Sequence, residues 1–252
     1  MINPIIDALN RGIKKSGIQR SKVCVVSDIP FKPEDVRHLG IDYFHTIRGR
    51  TIAFGTGLKL GNPDLKIIPC TGDLMTLGGN HFIHAGRRNM ELSVICINNF
   101  VYRKIAGNPA PSAPHSFSPY STFEEPFNVP HLANSCGAVY TARWTALHKK
   151  GLTNSIADAL NKGGLSAIEI IAPGPSYYAN ISEIDFGATE FYYENSVVKD
   201  GEDPRNAGIS PEEKIVVGTF TDRVRPSFLE SYRTQLSETL GDKFVPYGGK
   251  SG

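Results

Sequence analysis

Cysteine is scarce and unpaired in this 252-residue chain: Cys24, Cys70, Cys96 and Cys136 are the only four. No two stand at the C-x-x-C spacing of a metal knuckle, and each lies beside apolar or small residues. That is the pattern of buried thiols in a reducing compartment and argues against a disulfide framework. A surplus of one charge sign is also missing. Lysines and arginines number 27 against 25 acids, for a net charge of +2; because the signs are interleaved, no basic face recommends a nucleic acid as partner. No apolar run reaches the roughly 18 residues that a membrane span requires. The opening "MINPIIDALNRGIKKSG" carries Asp7 among the helically spaced Ile5, Ile6, Leu9 and Ile13, which is the pattern of an amphipathic helix and not of a signal peptide. A cytoplasmic protein without membrane contact is the expectation. What the chain does have is 40% hydrophobic and 21% charged residues, enough for the core of one large α/β domain.

Strand-like and helix-like stretches alternate along the first two thirds. Residues 2–16 read as a helix, 22–29 as a buried strand, 49–61 as a small-residue helix, 65–70 as a strand, 79–88 as a helix and 92–98 as a strand. After a Pro- and Ser-rich loop at 108–130 come a short helix near 131–136, a strand at 138–143, a helix at 153–164 and a strand at 167–173. Such alternation implies βαβ crossovers and a doubly wound, mostly parallel sheet. Beyond about residue 180 the pattern breaks. The polar stretch 198–210 reads as a linker, and only a strand at 214–220 and a helix around 226–240 follow. The expected division is a domain over 1–180 and a C-terminal extension over 181–252 that packs on the domain or on a partner subunit.

Chemistry concentrates in "PCTGDLMTLGGNHFIHAGRRN" (69–89) and in the pair Asn98-Asn99. A glycine, an acid and more glycines ahead of a helix read as a phosphate cradle at the carboxyl ends of parallel strands. Asp73 in this context is a backbone-anchoring group or a general base. His81 and His84 stand one helical turn apart with no third ligand within reach, so packing and hydrogen bonding are preferred to zinc. Arg87-Arg88 suit the helix carboxyl end, His45 is structural, and Cys70 and Cys96 in apolar strands are inert thiols. His115 sits in the long loop.

The strings "FHTIRGRTIAFGTGLKLGNPDLKII", "GDLMTLGGNHFIHAGRRN", "NNFVY" and the later "RPSFLESY" resemble the β subunit of 2-oxoacid:ferredoxin oxidoreductases, the subunit with the thiamine-diphosphate-binding fold. The resemblance implies oxidative decarboxylation of a 2-oxoacid to an acyl-CoA, in a site shared with an α subunit that brings the pyrimidine-binding domain. In the family the diphosphate-and-metal motif reads G-D-G-D, an apolar run, G-G-N-H and later N-N. Counting back from Gly78-Gly79-Asn80-His81, Gly72 and Asp73 match the second glycine and second acid, and Thr71 stands where the family has its metal-binding acid. Asn99 matches the side-chain ligand and Val101 the carbonyl ligand, so the implied Mg²⁺ is weakened at Thr71. Thr71→Asp is expected to restore metal dependence. Arg48, in the family's H-G-R, and Arg103 and Lys104, in its Y-G-L-T-K-G-Q, bring three cations to the diphosphate position as a possible substitute for the metal.

The family's [4Fe–4S] cysteines are replaced: Phe31 stands in the turn after the first strand and Gly174 after the last. No iron–sulfur cluster is expected in this chain, and electrons would need a separate iron–sulfur or ferredoxin-like subunit. The rival reading is a non-catalytic structural or regulatory subunit that keeps the fold and has lost metal and cluster binding.

Overall fold

The computed structural model describes residues 2–72, 74–100, 112–113, 125–173, 188–210 and 213–246. Asp73, Val101, Arg103, Lys104, His115 and Gly174 lie outside the described residues. Helix α1 spans Ile2–Ser16 and buries Ile5, Ile6, Leu9 and Ile13, a spacing that puts all four on one face. Each such side chain, fully buried, contributes about 1.5–3 kcal/mol. Their partners are Leu152, Ile156 and Leu160 of a helix over Lys149–Asn161. Gly12 permits the close crossing, because a Cβ there would lie 2.6 Å from Ile156 Cγ2.

The strands are β1 (Val23–Ser27), β2 (Asp42–His45), β3 (Lys66–Thr71), β4 (Ser93–Asn98), β5 (Tyr140–Thr145), β6 (Ser166–Ile171), β7 (Ser196–Val198) and β8 (Ile215–Asp222). Among the described residues they form one eight-stranded sheet in the order β2-β1-β3-β4-β6-β5-β8-β7. Every pairing is parallel except β5 with β8. The helices after α1 are α2 (Pro33–Val36), α3 (Thr51–Gly61), α4 (Gly79–Arg88), α5 (Val129–Ser135), α6 (Lys149–Asn161), α7 (Ala188–Glu194) and α8 (Phe228–Leu240). Strand residues alternate between two cores. Val23, Val25, Ile68 and Ile95 meet α1 and α6; Val26, Ile67, Val94 and Cys96 meet Ile52 of α3, Phe82 of α4 and Ala133 of α5. Helices on both faces of a mostly parallel sheet make the doubly wound architecture.

Three details depart from the sequence pattern. Strand β2 is hidden in it because Asp42, Phe44 and His45 are exposed on the sheet's edge, where no apolar periodicity is required. Helix α6 begins at Lys149, four residues before the apolar spacing predicts, and β5 runs two residues later than expected. The polar stretch 198–210 is no free linker: it holds a 3₁₀ turn at Pro204–Asn206 and buries Ala207 and Ile209. The Ala207 carbonyl accepts from Arg143 Nη1 at 2.6 Å.

Candidate functional site

β1, β3 and β4 end on one edge of the sheet. Their register pairs Ser27 with Cys70 and Thr71 with Cys96, which sets Asp28 level with Thr71 and leaves Asn98-Asn99 just beyond. The chain leaves β1 toward β2 on one side and β3 toward β4 on the other. The crevice between the carboxyl ends of β1 and β3 is therefore the topological switch point, where open α/β sheets bind ligands.

Asp28 is the centre of that crevice. Its Oδ2 accepts the Thr71 hydroxyl at 2.9 Å and the Gly49 amide at 2.9 Å, and its Oδ1 accepts the Ile29 amide at 2.6 Å. Asp28 is 3% and Thr71 1% exposed. Residues 46–50, between β2 and α3, thus reach across β1. Arg50 Nη1 fastens them to the loop before α4 by donating to the Leu77 carbonyl at 3.0 Å. Gly49 has φ +70°, and a Cβ there would fall 2.4 Å from Leu77 Cβ. Arg48 is half-buried in this turn. Gly72 follows β3, and a Cβ on it would lie 3.7 Å from both Pro30 Cγ and the Ile97 carbonyl.

Asn98 and Asn99 divide their work. Asn98 turns inward: its Nδ2 donates to Glu169 at 2.7 Å, and its Oδ1 accepts the Phe100 amide and the Ser112 hydroxyl at 3.2 and 3.0 Å. Asn99 is exposed on the edge. Phe100 follows at φ +62°, a left-handed conformation that bulky residues rarely adopt; full burial and an edge-to-face contact with Tyr192 at 5.2 Å hold it there.

The amino ends of α3 and α4 open on the same edge, where helix dipoles favour anions. On α4, burial lowers the affinity of the His81 imidazole for a proton, and Arg50 and His84 push the same way; among the described residues its enclosed Nε2 has no hydrogen-bond partner. Among the described residues no group of three or more His, Cys, Asp or Glu could hold a metal ion. Burial, and after it Asp42, push the Cys24 thiol up to about 11, and burial raises Cys70 well above its ordinary value. Both are poor nucleophiles.

The structure brings Thr71, Gly72, Arg48 and Asn99 to one edge; Asp73, Val101, Arg103 and Lys104 fall outside the described residues. Sequence reasoning missed Asp28, which it had placed inside a strand over 22–29. The available signal was an acid directly after the apolar run "VCVVS". Its presence also revises the expectation for Thr71→Asp, since that change alone would set two carboxylates about one hydrogen-bond length apart. The oxygen donors at hand, the Asp28 carboxylate, the Thr71 hydroxyl and the Asn99 side chain, fit a hard cation. Mg²⁺ takes only one or two carboxylates when phosphate oxygens complete its octahedron.

The model of the family described as "Thiamine pyrophosphate enzyme, C-terminal TPP binding domain" matches residues 24–170. The 2-oxoglutarate synthase subunit KorB of Methanothermobacter thermautotrophicus is 36% identical over 248 residues, covering 94% of this chain and 85% of that protein. A 2-oxoacid:ferredoxin oxidoreductase subunit beta of Sulfolobus sp is 36% identical over 182 residues, covering 69% and 59%. Among solved structures, the 2-oxoglutarate:ferredoxin oxidoreductase of Magnetococcus marinus, with 2-oxoglutarate, coenzyme A and succinyl-CoA bound, superposes with a TM-score of 0.81. At 22% identity over 98% of this chain and 86% of that one, it shows the same fold. With a cofactor-domain match over more than half its length and a relative 36% identical over 94% of this chain, the chain belongs to the thiamine-diphosphate-binding β subunits of the 2-oxoacid:ferredoxin oxidoreductases.

Proposed function

We propose that this chain supplies the diphosphate-binding half of a thiamine-diphosphate site, completed by a larger α subunit with the pyrimidine-binding domain, for oxidative decarboxylation of a 2-oxoacid to an acyl-CoA. The observation that carries the reading is the crevice at the β1/β3 switch point, edged by two helix amino ends and by the turn that Gly49 and Arg50 tie to Leu77. When bound, thiamine diphosphate supplies the carbanion stabilisation that allows a 2-oxoacid to lose CO₂. This chain's part is to bind and orient. The amino end of α4 and the half-buried Arg48 receive phosphate oxygens, with Gly72, Asp73, Arg103 and Lys104 assigned beside them on the family motif. Thr71 and Asn99, with Val101 assigned on the family motif, are the residues that would hold Mg²⁺. Leu74, Gly78 and Phe82, all buried, anchor the segment that leads into α4.

Electrons leave through another subunit. Phe31 stands at a cluster-ligand position, is fully buried, and offers its carbonyl to Tyr43 Oη at 2.8 Å; a phenyl ring cannot ligate iron. Among the described residues no helix is long and apolar enough to cross a membrane.

The test is calorimetric titration with thiamine diphosphate, in Mg²⁺ and in EDTA, of the chain alone and of the assembly in which it purifies from its host. The expected result is binding that needs Mg²⁺ and tightens in the assembly, alongside co-purification of a larger subunit. No binding in either preparation would favour the non-catalytic structural subunit.

A further inference from the structure

Asp28 presents an unusual electrostatic state. A buried carboxylate normally has a cationic partner, because an isolated ion is costly to remove from water. Among the described residues Asp28 has none: its three donors, the Thr71 hydroxyl and the Gly49 and Ile29 amides, are all neutral. This carboxylate lies level with the position where the family carries its metal-binding acid, in the crevice that would receive a polyanion. A diphosphate beside a buried carboxylate is repelled unless a cation stands between them.

We propose that Asp28 is a positioning residue that takes over the charge of the missing acid, acting on a divalent cation through Thr71; the proposal rests on the thiamine-diphosphate reading of the site. A threonine hydroxyl has one proton and two lone pairs. Because the Thr71 hydroxyl donates its proton to Asp28 at 2.9 Å, its oxygen can meet a cation only as an acceptor, backed by that carboxylate. Hydroxyl and carboxylate together offer the cation what a single aspartate on the tip of β3 would. Outer partners of this kind are worth about 10- to 100-fold in metal affinity.

The experiment measures Mn²⁺ binding, by loss of the free-ion paramagnetic resonance signal, with thiamine diphosphate present. It uses the full chain in the assembly with which it purifies, and thermal unfolding without metal checks that each variant folds. Asp28→Asn keeps the shape and is expected to weaken Mn²⁺ about 10- to 100-fold. Thr71→Asp alone is expected to bring no gain, because its carboxylate meets Asp28. The double variant Asp28→Asn/Thr71→Asp moves the charge back to β3 and is expected to recover affinity to within about threefold of the unmodified chain, a rescue that a merely structural role of Asp28 would not produce. Should Asp28→Asn fail to fold, the folded double variant decides alone: Mn²⁺ binding like the unmodified chain supports the proposal, and its loss overturns it. An Asp28→Asn protein that binds Mn²⁺ as tightly as the unmodified chain overturns the role of Asp28 and leaves the proposed function standing. An unmodified chain that takes neither Mn²⁺ nor thiamine diphosphate overturns both.

Discussion

At Gly49 a φ of +70° coincides with a contact that leaves no room for a side chain. The amide that this turn presents to Asp28 would move with any correction of the backbone. Ala at this position faces the left-handed penalty and a Cβ placed 2.9 Å from the Leu77 carbonyl carbon, which is backbone and cannot swing aside. We expect Gly49→Ala to lower unfolding free energy in denaturant by about 1–3 kcal/mol and to weaken diphosphate binding more than the stability loss accounts for. Unchanged stability together with unchanged binding would show that the turn is not held as described. Phe100 is the opposite case, a bulky residue kept at positive φ by its burial next to Asn99.

Among the elements, α8 shows how the chain's last third is fastened to the site-bearing sheet. Ser227 is its N-cap and forms a capping box with Glu230, while its hydroxyl donates to Glu91 at 2.6 Å. Glu91 in turn meets the buried Lys59 at 2.8 Å. Just upstream, Asn89 Nδ2 donates to the Arg225 and Pro226 carbonyls at 3.1 and 2.9 Å. Ser227→Ala removes both the cap and the Glu91 contact and should cost about 1–2 kcal/mol. The junction also has a pH signature. Burial alone would raise the Glu91 carboxyl, but Lys59 and the Ser227 hydroxyl outweigh it and hold the group below its ordinary 4.5. A depressed folded value means that the stabilisation is complete above the unfolded value and is lost as pH falls through the folded one. Hydrogen exchange should therefore show α8 losing protection below about pH 4.5, ahead of the sheet, with the effect flattened in Glu91→Gln. Simultaneous loss in both regions would mean that Glu91 does not govern the docking.

Across the molecule, a charged pair in the middle of the sheet links the far segments to the site. Arg143 and Glu169 meet at 2.6 Å with at most 1% of either side chain exposed. Glu169 also holds Asn98, beside the exposed Asn99, and Arg143 holds the Ala207 carbonyl. Among the described residues Arg143 Nη2 has no hydrogen-bond partner. The proposed lack of a cluster gives a simple prediction: after anaerobic reconstitution with iron and sulfide, the purified chain should carry no stoichiometric iron and no visible charge-transfer absorption. Phe31 fills its cluster position, and Cys24 and Cys70 are buried thiols with raised pKa values. A stable cluster lost on mutating Cys24 or Cys70 would reverse that conclusion.

Long apolar periods made the fold legible in the residues themselves: α1, α4 and β4 lie where their spacing puts them, because burying a face imposes that spacing. The run from Gly78 to Arg88 and the Asn98-Asn99 pair likewise marked the site's edge, since short motifs bring their own local geometry. Edge strand β2 left no trace, having one side in water, and the segment 198–210 concealed its buried Ala207 behind polar neighbours. Asp28 was the largest omission. It is 43 residues from Thr71 in the chain and reaches it only because β1 and β3 are neighbours whose register levels their ends. The sequence alone determined that an acid was missing at position 71; only the pairing of two strands decided that another carboxylate stands within a hydrogen bond of the gap, because hydrogen-bond distance is a property of the folded sheet.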